Sequence, residues 1–431
     1  MPVSVACVNG SFDEAVAALT DYRRRTRRPN ADNVACPVIF NDFMNCLSGN
    51  PATKTLMPLI DAAAEAGCEY FVIDAGWYDD GWWWDTVGEW LPAKTRFPNG
   101  ITEPLDRIRQ RGMVPGLWLE LEVMGVKCPL AAQWPDECFF MRHGKRVIDN
   151  GRYQLDFRHP RVLQHADEVL ARLVEEYGVG YVKMDYNINA GPGTEVAADS
   201  FGDGLLQHNR AYLAWLDRIF ARYPDLIIEN CGSGGLRMNH ALLSRCSIQS
   251  SSDQGDRRKY ASIAAGCLAA VTPEQCAVWS YPQRDGDEEE TIFNMVNSLL
   301  MRIHQSGHLA ELSPERLALV REGIACYKTY REKLPHAHPF WPLGLPSLRD
   351  GWVTCGLELG DEALLAVWRI HDAADTLEIP LARCPLPVRQ AELLYPKQYP
   401  VDFTLAPDGR TLAVQLPQQC TARLFRLTAK T

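Results

Sequence analysis

Residues 162–187 read VLQHADEVLARLVEEYGVGYVKMDYN, and this stretch decides the fold class. Its apolar residues first recur at helical spacing over Val162–Glu176. A turn containing Gly178 and Gly180 follows, and then the short apolar run Tyr181–Asp185. A helix that leads into a short, continuously apolar strand is typical of a parallel sheet whose faces are covered by helices.

The same alternation recurs on both sides of this stretch, between residues 37 and 332. The predicted strands are Pro37–Asn41, Tyr70–Asp74, Val114–Glu120, Tyr181–Asp185, Leu226–Asn230, Ser247–Ser250, Cys276–Ser280 and His308–Glu311. The predicted helices are Ala52–Gly67, Val162–Glu176, Gly204–Tyr223, Arg258–Ala270, Glu288–Ser306 and Ser313–Tyr330. Eight strands over this length predict an α/β fold, a (β/α)8 TIM barrel.

The flanking segments predict two further units. Residues 1–36 contain a predicted short strand, a helix over Ser11–Arg24 and a basic linker, RRRTRRP, expected to be solvated. After residue 332 short strands alternate with Gly, Asp and Pro breaks, which predicts a small antiparallel β-sandwich packed on the barrel. The predicted domains are therefore 1–36, 37–332 and 333–431.

The amino-acid composition limits the kinds of partner that this protein is expected to bind. The 431 residues carry 54 acidic and 44 basic side chains, a net charge of −10, which argues against nucleic acid as the main partner. The absence of an 18-residue apolar run argues against a membrane span. No secretory signal pattern opens the chain, and the 14 Cys follow no disulfide or zinc spacing, so we expect reduced thiols, a cytoplasmic location and no metal or cofactor.

Polar residues close most of the predicted barrel strands. They are Asn41 and Asp42, Asp74, Glu120 and Glu122, Lys183 and Asp185, Glu229 to Cys231, and Ser250 to Asp253. A single terminal Asp is often only a helix cap, but a set that converges at the carboxyl ends of barrel strands predicts an active site. Four Trp between residues 77 and 84 favour a carbohydrate ligand, with a packed core as the alternative.

Lys183 and Asp185 are two residues apart, so both side chains point to the same side of their strand. A nearby Lys keeps a buried Asp ionised, as a glycosidase nucleophile requires, although a structural ion pair would look the same. Asp253 follows the sixth strand and is the predicted acid/base. Asp256 competes for that role, but it could instead cap the helix beginning near Arg257.

The motifs together resemble the alpha-galactosidases of glycoside hydrolase family 36, which share a clan with family 27. The resemblance runs from about residue 37 to 312. Its motifs are Phe71–Tyr78, Gly88–Trp90, Arg96–Gly100, Gly116–Glu122, Gly151–Asp156, Lys183–Asn187, Glu229–Cys231 and Ser252–Asp253. The chain looks like a short form of this family without its N-terminal β-supersandwich.

The resemblance implies a retaining alpha-glycosidase that acts on a small oligosaccharide or glycoside, with no metal and no cofactor. Asp185 would be the nucleophile and Asp253 the acid/base. The implied substrate-binding residues are Asp74, Trp77, Trp118, Arg152, Lys183, Asn187, Cys231 and Gly234. Homo-oligomerisation and transglycosylation stay open.

Ala75 departs from the family, which has Asp-Asp-Gly-Trp where this chain has Asp-Ala-Gly-Trp. In the family, this pair binds the 4- and 6-hydroxyls of galactose. The alternative activities are therefore those of a beta-L-arabinopyranosidase, an alpha-N-acetylgalactosaminidase or galactosaminidase, or an alpha-glucosidase. Asp79 or Asp80 could supply the missing carboxylate.

Among proteins of another functional class, a degenerate barrel that binds sugar without catalysis remains an alternative. An aldolase or isomerase is disfavoured because the loop at residues 281–290 is acidic and would repel phosphate.

Overall fold

The computed structural model describes residues 5–429, and eight parallel strands within them close into a barrel. The strands are β1 Ile39–Asn41, β2 Tyr70–Ile73, β3 Val114–Leu119, β4 Tyr181–Met184, β5 Ile227–Asn230, β6 Ile248–Ser250, β7 Cys276–Ser280 and β8 Arg302–Gln305. Each strand pairs with the next along the chain, and β8 pairs with β1. The predicted (β/α)8 barrel is therefore confirmed.

Helices surround the barrel and connect its strands. They are α1 Phe12–Thr26, α2 Ala31–Ala35, α3 Thr53–Ala66, α4 Trp83–Thr86, α5 Thr102–Gln110, α6 Pro129–Gln133, α7 Pro160–Ala171, α8 Phe201–Arg222, α9 His240–Leu243, α10 Arg257–Cys267, α11 Glu288–Ser298 and α12 Pro314–Lys328. Their start signals are local: Ser11 and Glu14 form a capping box on α1, and Ser200 accepts a backbone N–H of α8. None of the helices in residues 5–429 combines the length and apolar character that a membrane crossing requires.

The barrel interior is apolar at one end and polar at the other. Ile39, Val72, Tyr181, Ile227 and Ile248 belong to one buried cluster inside it. Because side chains alternate along a strand, the next inward position lies two residues nearer the carboxyl end. These next positions hold Asn41, Asp74, Lys183, Glu229 and Ser250. The alternation thus places polar groups at the end where such barrels bind their ligands.

The eighth strand was predicted at the wrong place. His308–Glu311 is not a strand; Leu309–Glu311 forms a short 3-10 helix, and β8 lies six residues earlier. The strand was missed because it reads Arg-Ile-His-Gln rather than as an apolar run. Its buried Arg302 is neutralised by two contacts of 2.9 and 3.0 Å with Asp32, which lets the polar strand complete the barrel.

Residues 338–428 form two antiparallel sheets, as predicted. The strands are β9 His338–Phe340, β10 Trp352–Glu358, β11 Glu362–Arg369, β12 Thr376–Pro380, β13 Gln390–Tyr395, β14 Phe403–Leu405, β15 Thr411–Gln415 and β16 Thr421–Thr428. The sheet orders are β9-β10-β11-β16-β13 and β12-β15-β14. The short strands β9 and β14 were not predicted. The domain boundaries at residues 36 and 332 stay predictions.

The N-terminal segment packs closely on the barrel. Residues 1–4 of the predicted first strand lie outside the described residues, and residues 5–10 form no strand. The basic linker is not a solvated face, contrary to the prediction. Arg24 and Arg27 both bind the carboxylate of Glu274, whose side chain is fully buried. A buried carboxylate requires positively charged or hydrogen-bonding partners. Glu274 binds two of the five arginines of the basic linker.

Candidate active site

Asp74 follows β2 directly and is the centre of a buried charge cluster at the carboxyl end of the barrel. Its Oδ2 accepts hydrogen bonds from Lys183 Nζ at 2.8 Å and from Asn41 Nδ2 at 2.6 Å. Its backbone N–H donates to Asp42, and its Oδ1 accepts the N–H of Ala75. Burial opposes the charge of Lys183, but Asp74 raises the pKa of this lysine well above its usual value.

Asp185 follows β4, and three donors hold its carboxylate in one orientation. Oδ2 accepts the indole N–H of Trp118 at 3.2 Å. Oδ1 accepts the backbone N–H groups of Tyr186 at 2.8 Å and Ser233 at 3.1 Å. Ser233 also donates its N–H and its hydroxyl to Asn187 Oδ1. The turn after β5 is thereby attached to the segment that carries Asp185.

Arg152 reaches the site from a three-stranded sheet that follows β3. That sheet comprises Val123–Gly125, Ile148–Asp149 and Arg152–Gln154. The guanidinium group is fully buried, bonds to Glu120 and lies 3.7 Å from the ring of Trp84. Its Nη2 has no hydrogen-bond partner within residues 5–429. One charged donor of Arg152 therefore stays available to a ligand.

Asp253 lies after β6, close to the turn after β5. Gly234 forms an antiparallel bridge with Ser252, and a Cβ at Gly234 would lie 2.6 Å from the backbone nitrogen of Asp253. The residue is exposed at the mouth of the barrel, yet removal of its carboxyl from bulk water raises the pKa of Asp253 to about 6. Lys183 opposes this shift, and the charges of Asp185 and Asp74 add to it.

Asp256 has a different environment from Asp253. Its carboxylate caps α10 by accepting the backbone N–H of Arg258 at 3.0 Å, and it binds the guanidinium group of Arg258 as well. These contacts lower the pKa of Asp256. Asp256 is thus a helix cap with an ionised carboxylate, whereas the pKa of Asp253 is raised.

Comparison with known proteins identifies the family of this chain. A family model described as Melibiase matches residues 9–334. This chain belongs to the melibiase family. Among curated relatives of this melibiase chain, the bifunctional alpha-galactosidase/sucrose kinase AgaSK of Mediterraneibacter gnavus is 25% identical over 74% of the chain and 34% of its own length. An alpha-galactosidase of Escherichia coli is 28% identical over 51% of the chain and 30% of its own length.

Solved structures share the fold of the melibiase chain. The GH36 alpha-galactosidase AgaA of Geobacillus stearothermophilus superposes with a TM-score of 0.83 at 18% identity, over 98% of this chain and 60% of its own. The chain spans about a third of the length of the curated relatives named above and about three fifths of this solved one.

The melibiase fold brings most of the predicted site residues together. Lys183 does not pair directly with Asp185, because its ammonium group bonds to Asp74. Trp77 is fully buried, packs against Tyr78, and donates its indole N–H to the carbonyl oxygen of Trp118. It supports Trp118 from behind. Its role as a sugar-binding residue stays a prediction.

The remaining predicted binding residues line one region. Cys231 is buried and accepts the N–H of Gly234 at its Sγ, and Asn187 bonds to both Glu120 and Ser233. Within residues 5–429, no group of three or more His, Cys, Asp or Glu side chains could hold a metal ion.

Sequence analysis missed Ser233 and Trp279. Ser233 was part of the glycine-rich turn but was not assigned a contact. The Trp279 ring lies inside the barrel, 5.2 Å from the Lys183 ammonium group, and its indole N–H has no partner among the described residues. The alternation of β7 places Trp279 inward together with Ala277, so its strand pattern was a usable signal.

The two residues suggested to supply the carboxylate missing at Ala75 have other contacts. Asp80 accepts hydrogen bonds from the backbone N–H and the hydroxyl of Thr95. Asp79 and Asp80 line a separate cavity of about 250 Å³ together with Glu89. The Ala75 methyl is itself buried.

Proposed function

We propose that this chain is a retaining alpha-glycosidase that hydrolyses terminal alpha-galactosides or a closely related sugar. One observation carries the proposal: Asp185, fixed by three donors, lies near Asp253, whose pKa is raised to about 6. A retaining glycosidase needs one carboxylate that attacks and a second carboxyl that holds a proton. The names of its melibiase relatives support galactose as the sugar.

The first step forms a covalent intermediate. An oxygen of Asp185 attacks the anomeric carbon while the bond to the leaving oxygen breaks. The proton of Asp253 moves to that leaving oxygen, so the leaving group departs as an alcohol. The sugar then has a beta linkage to Asp185.

The second step releases the sugar. Asp253, now a carboxylate, takes a proton from water, and the water oxygen attacks the anomeric carbon. The bond to Asp185 breaks, and the alpha configuration is restored. Asp253 regains its proton, so both carboxyl groups return to their initial states.

Sugar recognition is proposed to use the buried charges around this pair. Asp74 would accept hydrogen bonds from hydroxyl groups, and Lys183 and the unpaired Nη2 of Arg152 would donate them. Cys231 and Gly234 would form the wall of the sugar site next to Asp253. Hydrogen bonds to charged groups are worth about 1.5–3 kcal/mol each, which is enough to select one hydroxyl pattern.

The test is hydrolysis of a set of aryl alpha-glycosides, with the anomer of the released sugar followed by proton NMR. We expect turnover of the alpha-galactoside, with the alpha anomer formed first, and none by Asp185→Asn. Alpha-N-acetylgalactosaminide and alpha-glucoside test the other specificities. Beta anomer formed first would contradict retention. Galactose binding without any turnover would favour the non-catalytic, sugar-binding alternative.

Ala75 favours a second candidate, beta-L-arabinopyranosidase activity. This sugar has the ring of galactose without the C6 group, and Ala75 has no carboxylate to bind a 6-hydroxyl, while Asp79 and Asp80 line a cavity that Ala75 does not line. We expect kcat/KM for an alpha-galactoside and the corresponding beta-L-arabinopyranoside to differ by less than about tenfold, or about 1.4 kcal/mol.

The variant Ala75→Asp should shift this preference toward galactose. Ala75→Asn is the matched control, since it adds the same volume without the charge. A preference of the wild-type protein for galactose of about a hundredfold or more would reject weak discrimination.

We propose that the protein acts in the cytoplasm on small glycosides. All 14 cysteines are free in the part of the chain that the structure describes, which supports a reducing compartment. The net charge of −10 supports the absence of a nucleic-acid partner.

A further inference from the structure

The turn after β5, residues 231–237, contacts the segments that carry both proposed catalytic carboxyl groups. The backbone N–H of Ser233 donates to Asp185 Oδ1 at 3.1 Å. The turn also forms a backbone bridge with Ser252, which directly precedes Asp253. The position of this turn therefore affects how the two carboxyl groups lie relative to each other.

The turn has a backbone conformation that depends on support from its surroundings. Ser233 has a φ of +44°, in the left-handed region that residues other than glycine rarely adopt. Such a conformation persists only where neighbouring contacts hold it. Asn230 Nδ2 donates to the carbonyl oxygen of Arg237 at 3.0 Å, and the N–H of Leu236 donates to the carbonyl oxygen of Gly232 at 3.0 Å. These bonds close the turn at Arg237.

The Arg237 side chain joins this turn to the segments that follow β3 and β4. Its guanidinium group donates to both carboxylate oxygens of Glu122, with Nη2 3.2 Å from Oε2. It also lies 4.5 Å from the ring centre of Tyr186, the residue after Asp185, and 5.2 Å from that of Tyr212 in α8. A guanidinium group that bonds two oxygens and lies over aromatic rings has a fixed orientation.

Glu122 is an ionised partner with a fixed position. Its side chain is buried, and His208 Nε2 lies 3.1 Å from its Oε2. Burial opposes ionisation, but Arg237 and His208 together lower the pKa of Glu122 to about 2. The ion pair between Arg237 and Glu122 therefore persists well below neutral pH.

We propose that Arg237 is a positioning residue for the reaction, because it holds the turn after β5 in place. The turn in that position directs the Ser233 N–H at Asp185, and its bridge to Ser252 sets where Asp253 lies. Arg237 acts through the turn and is not proposed to touch the sugar. The inference rests on the proposed function and deepens it, since it identifies a side chain that keeps the two carboxyl groups in place.

The test compares Arg237→Ala with Arg423→Ala, which removes another buried ion pair, the one between Arg423 and Glu289 at the C-terminal sheet. Both variants should have a lower melting temperature. Only Arg237→Ala should lower kcat for 4-nitrophenyl alpha-galactoside, by about tenfold to a hundredfold, because a displaced nucleophile reacts slowly. The inhibition constant of galactose should change by less than about threefold, since most residues proposed to bind its hydroxyls follow β2, β3 and β4.

Two further measurements separate positioning from a general loss of structure. Arg237→Lys keeps a positive charge beside Glu122, so it should fold even if Arg237→Ala does not. An ammonium group lacks the planar fork that bonds two oxygens, so kcat should fall by about threefold to tenfold. Arg237 lines a cavity of about 320 Å³, through which methylguanidinium can reach the space vacated in Arg237→Ala. Millimolar methylguanidinium should raise kcat of this variant and leave that of Arg423→Ala unchanged.

An unchanged kcat in both Arg237→Ala and Arg237→Lys would overturn the inference while leaving the proposed function in place. An equal loss of kcat in Arg423→Ala, or a loss that appears only in the inhibition constant of galactose, would also overturn it. If the wild-type protein hydrolyses no aryl alpha-glycoside, the proposed function fails, and the inference fails with it.

Discussion

The contact of Lys183 determines which of the surrounding carboxylates forms an ion pair. Its ammonium group bonds to Asp74 at 2.8 Å, so Asp185 is held by neutral donors instead. A carboxylate in a direct ion pair would have to separate from its partner in order to attack. Asp185 keeps its orientation from Trp118 and Ser233 without that cost, which fits a nucleophile better than a direct ion pair with Lys183 would.

Leaving-group dependence separates Asp253 from Asp256. Asp253→Ala should slow substrates with poor leaving groups far more than activated aryl galactosides, because only the former need a proton. Asp256→Ala should lower the free energy of unfolding by about 1 kcal/mol through loss of the α10 cap, with no such dependence. Steady-state kinetics over a series of leaving groups and thermal unfolding measure the two effects. The assignment is wrong if the two variants exchange these behaviours.

The pKa of Asp253 predicts the alkaline side of the pH profile. Because removal of the Asp253 carboxyl from bulk water raises its pKa to about 6, the protonated form needed for catalysis persists up to that pH and is lost above it. We expect kcat/KM for a poor leaving group to decline through about pH 6, and the decline to disappear in Asp253→Ala with an activated aryl galactoside. Burial also raises the pKa of Glu120, to about 7. If Glu120→Gln removes the decline, it belongs to Glu120 instead.

At the scale of elements, the turn after β5 positions the loop after β6. Gly234 has a φ of +77° and touches the backbone of Ser252 and Asp253. Gly344 has a φ of +88° but nothing within 4 Å of its Cβ position, so it is the matched control. Both alanine variants incur about 1–2 kcal/mol of backbone strain.

Only Gly234→Ala should also displace Asp253, and we expect its kcat/KM to fall on the order of tenfold to a hundredfold. Gly344→Ala should lose stability alone. Measuring the melting temperature and kcat/KM of both variants separates strain from displacement. Equal kinetic effects would contradict a positioning role for this turn.

The elements also show where sequence patterns succeed. β2, β4 and β7 are apolar and were predicted within a residue or so of their bounds. β8 was misplaced because its burial depends on Asp32, 270 residues away along the chain, and no local pattern encodes that pairing. The polar residues at the strand ends predicted where the candidate site lies. They could not predict its contacts, since Lys183 and Asp74 are 109 residues apart.

Across the whole molecule, a few buried ion pairs attach the outer segments to the barrel. Arg24 and Arg27 attach the N-terminal helix through Glu274. Arg423 of β16 binds Glu289 of α11 and attaches the C-terminal sheet. Because the sequence has no linker before the C-terminal sheet, it predicted that this sheet packs on the barrel. Charge patterns in the sequence could not identify the paired residues, because each ion pair joins distant parts of the chain.

Trapping the glycosyl-enzyme shows whether Asp185 becomes covalently bonded to the sugar. In 5-fluoro-alpha-galactosyl fluoride, the ring fluorine slows both steps and the fluoride leaving group speeds the first, so the intermediate accumulates. Mass spectrometry should find one fluorosugar per chain, on the peptide containing Asp185, and none on Asp185→Asn. A label on Asp74 or Asp253, or turnover of the reagent without any label, would show that Asp185 is not the nucleophile.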